Sequence, residues 1–184
     1  MKQLTVKAIF SQLTIVDIQT KLSAVMPADA MQSVIKNTAI LAQAAKILEI
    51  PLIASEQYPQ GLGETVPELA QYLAQSKMIA KTAFSACGEP MFIQQLHRDK
   101  SQIVLAGMEA HICVLQTALD LVVQGKQVFV VEDAVVSRDA KNKANALERL
   151  HSAGCMITNT ESVIFEWLGN ANHDAFKVLS KLIR

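Results

Sequence analysis

Residues 102–124 read QIVLAGMEAHICVLQTALDLVVQ. The first six, QIVLAG, form a near-continuous apolar run of strand length. From about His111 to Gln124 the pattern changes. Ile112, Leu115, Leu119 and Val122 recur at three- and four-residue steps, the spacing of one helix face. A strand that is apolar on both sides and leads into a helix is the repeating unit of a parallel sheet covered by helices.

The same alternation extends both ways from this unit. Upstream, LTIVDI (13–18) predicts a strand, and a long helix follows over about 29–49, with Met31, Val34, Leu41, Ala45 and Leu48 on one face. Asp29 is read as its N-cap and Pro51 as its stop. PLIAS (51–55) predicts a buried strand, EQYPQGLGETVP (56–67) a loop, and a short helix runs from Pro67 to about Gln75. KMIAK (77–81) is a strand and PMFIQQLHR (90–98) a short helix with proline in its first turn. Downstream come a strand KQVFVVED (126–133), a helix over 140–153, a short strand CMIT (155–158) and one or two closing helices. The prediction is one three-layer α/β/α domain spanning 1–184, built on six strands.

Composition narrows the function classes. Of 184 residues, 51% are apolar and 18% charged, which excludes a disordered chain. Lys plus Arg and Asp plus Glu each number 17, so nothing marks a broad basic surface and no nucleic-acid partner is expected. No apolar run approaches the roughly 18 residues that span a bilayer, and the opening MKQLTVKAIFSQLT is too polar for a signal peptide, so no membrane partner is expected. Cys87, Cys113 and Cys155 form no paired spacing, which points to a reducing compartment and a cytoplasmic protein.

Common signatures are missing. There is no P-loop, HExxH, CxxC or GxSxG, and GLGETV (61–66) starts like a dinucleotide fingerprint but lacks its third glycine. The histidines His97, His111, His151 and His173 are scattered without ligand spacing and read as surface or helix-end residues. No metal or cofactor is expected.

Open parallel sheets bind ligands at the carboxyl ends of their strands. The polar residues there are Asp17 and Gln19, then Ser55, Glu56 and Gln57, then Lys81, then Cys113 beyond Gly107, and finally Glu132 and Asp133. Asp17 lies in an apolar run, where a carboxylate is costly unless paired. Cys113 falls in a predicted first helical turn, where orphan N–H groups and a nearby lysine favour the thiolate. A carboxylate in reach would exchange protons with the thiol and with a leaving group. Against this, a cysteine in an apolar helix is ordinarily a small core residue, and Lys81 alone is an ordinary strand-end lysine. Cys87 and Cys155 are read as structural. His111, two residues before Cys113, competes as a base, although a helix entry points it elsewhere.

The segments IVDIQ (15–19), KTAFSA (81–86) and GMEAHICV (107–114) resemble the three signature segments of the isochorismatase-like cysteine hydrolases, in the same order. The resemblance implies strand order 3-2-1-4-5-6. It implies Asp17 as general acid and base, Lys81 as the cation holding developing charge, and Cys113 as nucleophile. It also implies a cis peptide at Met108–Glu109 and an oxyanion hole from the N–H groups of Glu109 and Cys113. Ala110 replaces the threonine many members carry, and SEQYPQGLG (55–63) lacks the histidine of the nicotinamidase metal site. GMEAHICV and SEQYP look most like the poorly characterised isochorismatase-domain proteins.

The expected activity is hydrolysis of a small amide or related C–N bond through a thioester. A repurposed binding protein and a nuclease-like activity are the alternatives. Gln19, Glu56, Gln57, Tyr58, Phe84 and Ser85, placed at the ends of the first three strands, are the expected substrate-binding residues. The resemblance further implies a homo-oligomer. The helix near 160–168 offers Phe165 and Trp167 as an interface, with core burial the alternative for the tryptophan.

Overall fold

The computed structural model describes residues 3–183 except residue 75. Its core is a six-stranded, all-parallel sheet in the order β3-β2-β1-β4-β5-β6. The strands are β1 (Ser11–Val16), β2 (Leu52–Gln57), β3 (Lys77–Lys81), β4 (Gln102–Met108), β5 (Gln127–Val136) and β6 (Met156–Thr158). The helices are α1 (Thr20–Ser23), α2 (Ala28–Ile47), α3 (Pro59–Leu62), α4 (Pro67–Leu73), α5 (Pro90–Gln95), α6 (Leu115–Val123), α7 (Ala140–Ser152), α8 (Thr160–Leu168) and α9 (Phe176–Leu182). The predicted end of α4 at Gln75 lies outside the described residues.

Alternation along each strand divides the core in two. Leu13 and Ile15 of β1, Val104 and Ala106 of β4, and Phe129 and Val131 of β5 pack with α2, α4, α8 and α9. Ile103 and Leu105 of β4, with Val128 and Val130 of β5, pack on the other face against Phe92 of α5, Leu115 and Leu121 of α6, and Leu150 of α7. Because both faces are covered, β1 and β4 are buried along their whole length, which is why β4 reads as a near-continuous apolar run.

Several boundaries depart from the sequence reading. Pro27 stands at the N-cap of α2, and Asp29 instead lies in the first turn, where its charge suits the helix dipole. β2 runs on to Gln57, and the proline after Tyr58 starts the short α3 inside the predicted loop. β5 continues past Asp133 to Val136. The pairing jumps from Leu105↔Val130 to Gly107↔Val135, so extra residues of β5 bulge out and the strand then rejoins β4. Trp167 is buried and donates from Nε1 to the Ser11 hydroxyl, so it is a core residue and not an interface anchor. Among the described residues, no helix is long and apolar enough to cross a membrane.

Candidate active site

Connections leave β1 and β4 toward opposite sides of the sheet, and the ends of these neighbouring strands make the switch point where a parallel sheet opens a crevice. Asp17 follows β1 with φ 54°, a left-handed conformation that aspartate tolerates better than most residues. Its side chain is fully buried. Oδ1 accepts a hydrogen bond of 2.7 Å from the Ser55 hydroxyl, which the register Val16↔Ser55 places alongside. Oδ2 lies 2.7 Å from Lys81 Nζ, an ion pair.

Lys81 ends β3, two strands away, and its side chain is likewise fully buried. Besides Asp17, Nζ donates to Gln57 Oε1 at 2.5 Å and to the carbonyls of Phe84 and Ala83 at 3.0 and 3.2 Å. The turn after β3 is therefore wrapped around its own lysine, and a dry ammonium is satisfied on every side.

The predicted first helical turn at Cys113 is a turn of π-helix, Ala110–Val114, from which α6 departs. Such turns interrupt helices most often at functional sites. The peptide bond Met108–Glu109 before it is cis. The Cys113 thiol is buried, and the charges of Asp17 and Lys81 both act on it. Burial and the neighbouring Asp17 carboxylate push it up to about 12, outweighing the opposite pull of Lys81. The sequence reading favoured a thiolate here. The dry setting and the carboxylate both act against that charge here. Burial also raises Asp17 above the usual carboxylate range, against the lowering effects of Lys81, Ser55 and Cys113.

The other predicted residues divide into two groups. Tyr58 and Phe84 are exposed on the segments that follow β2 and β3, and a depression of about 190 Å³ is lined by Tyr58, Lys81, Thr82 and Glu89. Gln57 supplies its carbonyl to Lys81 and its amide to the Thr82 carbonyl. Gln19, Glu56 and Ser85 spend their polar atoms on the scaffold. The Gln19 side chain bridges Gln57 and the Gly63 carbonyl. Glu56 accepts from the amide and hydroxyl of Thr65. Ser85 donates to Asp120 at 2.6 Å, tying the turn after β3 to α6. Asp133 anchors the start of α8 through Thr160, and Glu132 is exposed on the bulge. His111 turns away from the thiol, with Nδ1 2.9 Å from the Ser137 hydroxyl and Nε2 3.4 Å from the Asn142 amide.

Three partners escaped the sequence reading: Ser55 on Asp17, the amide of Gln57 on Lys81, and Arg138 on Glu109. Strand register alone would have exposed the first. Among the described residues, no group of three or more His, Cys, Asp and Glu is placed to hold a metal. A larger cleft of about 360 Å³ opens at the amino ends of β2 and β3, between Lys46, Glu49 and Tyr72, and includes none of these residues.

The family model of the isochorismatase domain matches residues 11–162. The chain belongs to the isochorismatase family. It is thus a hydrolase of that family, on the fold described above. It is 38% identical over 176 residues to isochorismatase domain-containing protein 2 of Bos taurus, covering 95% of this chain and 83% of that one. The structure of MAR1 ribonuclease from Caenorhabditis elegans superposes with a TM-score of 0.92 at 38% identity, covering 97% of this chain and 92% of that one. The YcaC gene product of Escherichia coli, an octameric hydrolase of unknown specificity, shares the isochorismatase fold at a TM-score of 0.90 and 24% identity, over 100% and 91% of the two chains.

Proposed function

We propose that this isochorismatase-family chain is a cysteine hydrolase that cleaves a small amide or related C–N bond with Asp17, Lys81 and Cys113. The observation that carries the reading is the buried Asp17–Lys81 pair, 2.7 Å apart, whose charges both act on the buried Cys113 thiol. A neutral thiol beside a carboxylate of raised pKa suits concerted proton transfer.

As Sγ attacks the carbonyl carbon, Asp17 takes the thiol proton. The oxyanion rests on the N–H groups of Glu109 and Cys113. Asp17 then gives the proton to the departing nitrogen as the C–N bond breaks, leaving a thioester. In the second half Asp17 removes a proton from water, the water oxygen adds to the thioester, and the proton returns to sulfur as the acid leaves. Lys81 stays charged throughout, so Asp17 alternates between its two forms beside a fixed cation. Tyr58 and Phe84 border the entrance and contribute to substrate choice, and the Gln57 amide holds Lys81.

The test is a hydrolysis screen over amides, ureas and carbamoyl compounds with wild type, Cys113→Ala and Asp17→Asn. Both variants should lose turnover with the fold retained. A Cys113→Ala protein that hydrolyses at the wild-type rate removes the nucleophile assignment and returns the non-catalytic binding reading.

A second reading follows from the name of the Caenorhabditis elegans relative. RNA incubated with wild type and Cys113→Ala separates the two: cleavage lost in the variant would make RNA the substrate of this same site. We also assign a cytoplasmic location, from a chain whose cysteines form no disulfide among the described residues. A homo-oligomer is part of the proposal, supported by exposed Tyr58, Phe84, Met91 and Phe165. Light scattering showing monomer alone at micromolar concentration overturns it.

A further inference from the structure

The second ion pair of this region has no part in the mechanism above. The Glu109 side chain is 6% exposed, and Arg138 grips it twice. The Arg138 backbone N–H donates to Oε2 at 2.9 Å, and Nε donates to Oε1 and Oε2 at 3.1 and 3.2 Å. Arg138 lies two residues beyond the end of β5, whose Val136 is paired with Met108. The next residue, Asp139, caps α7 by accepting from the Lys141 amide. The arginine is therefore held from both sides, directly against the loop that carries Cys113.

Four bonds join the carboxyl carbon of Glu109 to its own amide nitrogen, so the carboxylate stays within about 5 Å of that amide. The same amide is the proposed seat of the oxyanion, and Cys113 follows one turn later. A thiolate or an oxyanion forming here meets whatever charge Glu109 presents, because that carboxylate is itself buried even though its Arg138 partner reaches the surface. The Asp17 charge is already balanced by Lys81. Arg138 balances the other carboxylate.

We propose that Arg138 is a positioning residue for Cys113: by holding and neutralising the Glu109 carboxylate, it keeps an unbalanced negative charge from the nucleophile and from the amide that receives the oxyanion. This rests on the reading of Cys113 as the nucleophile. Arg138 itself touches neither sulfur nor substrate and works through Glu109.

The experiment measures the alkylation rate of each cysteine by iodoacetamide at one fixed, mildly alkaline pH, with peptides resolved by mass spectrometry. It needs no knowledge of the substrate. Arg138→Gln should slow labelling of Cys113 by about tenfold, the effect of a one-unit rise in thiol pKa. Arg138→Lys, which keeps the charge, should stay within about threefold of wild type. Glu109→Gln should label faster than wild type, and the Glu109→Gln, Arg138→Gln double variant should recover most of the loss. A merely structural role predicts none of this recovery.

Buried Cys155 reports unfolding, since it should label only when the core opens. If Arg138→Gln does not fold, Glu109→Gln decides alone. A wild-type rate for Arg138→Gln, a double variant as slow as that single variant, or no acceleration in Glu109→Gln overturns the proposal. Hydrolysis surviving in Cys113→Ala would instead overturn the proposed function and leave the labelling result standing.

Discussion

The Ser55 hydroxyl donates to Oδ1 of Asp17 at 2.7 Å, on the side of the carboxylate away from Lys81. This bond stabilises the ionised carboxylate against the cost of its burial. Ser55→Ala should therefore raise the Asp17 pKa further. In the proposed mechanism Asp17 must be ionised to take the thiol proton, so the acid limb of the kcat/KM profile should move to higher pH. The lost charge-assisted bond should also cost about 1.5–3 kcal/mol of stability. An acid limb that stays in place would show that another group controls it.

Lys81→Met leaves Asp17 buried without its cation, and removing one partner of a buried pair costs about 3–5 kcal/mol. The size of the loss should depend on pH. Burial raises Asp17 above its unfolded value of 3.8, and deleting Lys81 removes a lowering influence. A carboxyl with a raised native pKa contributes stability that is full below its unfolded pKa and lost as pH rises through its native one. The melting-temperature gap between variant and wild type should thus shrink on going from about pH 8 to about pH 5. A gap that widens on acidification contradicts this assignment of charge.

Asp17→Asn should move two observables in opposite directions. Turnover disappears, because no group passes the proton from sulfur to the leaving nitrogen. Alkylation of Cys113 should accelerate, because the Asp17 charge is one of the two main causes of its raised pKa, and Lys81 remains. In wild type, labelling should climb steadily through pH 9 without a plateau, as expected for a thiol near 12. If labelling and turnover fell together in Asp17→Asn, the carboxylate would be needed merely to shape the site.

Gly107 has φ +131° beside β1, and a Cβ there would sit 2.1 Å from the Val16 carbonyl oxygen. Only glycine lets β4 approach β1 this closely at the crevice. Gly107→Ala should cost about 3 kcal/mol or more and abolish hydrolysis together with it, since Asp17 and Cys113 leave from these two strands. Wild-type thermal stability in Gly107→Ala would mean that the strands separate without penalty.

The sheet was legible because strands buried on both faces carry continuous apolar sequence, and helices that cover one face carry three- and four-residue spacing. The bulge in β5 was not, since Glu132 and Asp133 look like a strand end until β4 is seen to resume pairing beyond them. Within the candidate site, Asp17 stood out as a costly carboxylate in an apolar run, and the family resemblance singled out Lys81 and Cys113 beside it. Their protonation did not. It depends on how completely Cys113 is dried and how near Asp17 lies, and local sequence carries neither quantity. The pairing of Glu109 with Arg138 was equally hidden, because 29 positions separate them and the β4–β5 pairing brings them together.

β3 is a margin of the sheet, with β2 as its only neighbouring strand among the described residues. Lys81 rides on that margin, yet its ammonium is bolted to Asp17, the residue just after β1, the third strand counted from that margin. Marginal strands fray before central ones, and fraying is visible as early amide exchange. Here each excursion of β3 would carry away the counter-ion of Asp17, so hydrolysis would pause for as long as the edge stays open. Amide exchange of β3 and intermittency of turnover would then share one rate, and any substrate that bridges the two sides of the crevice would slow both.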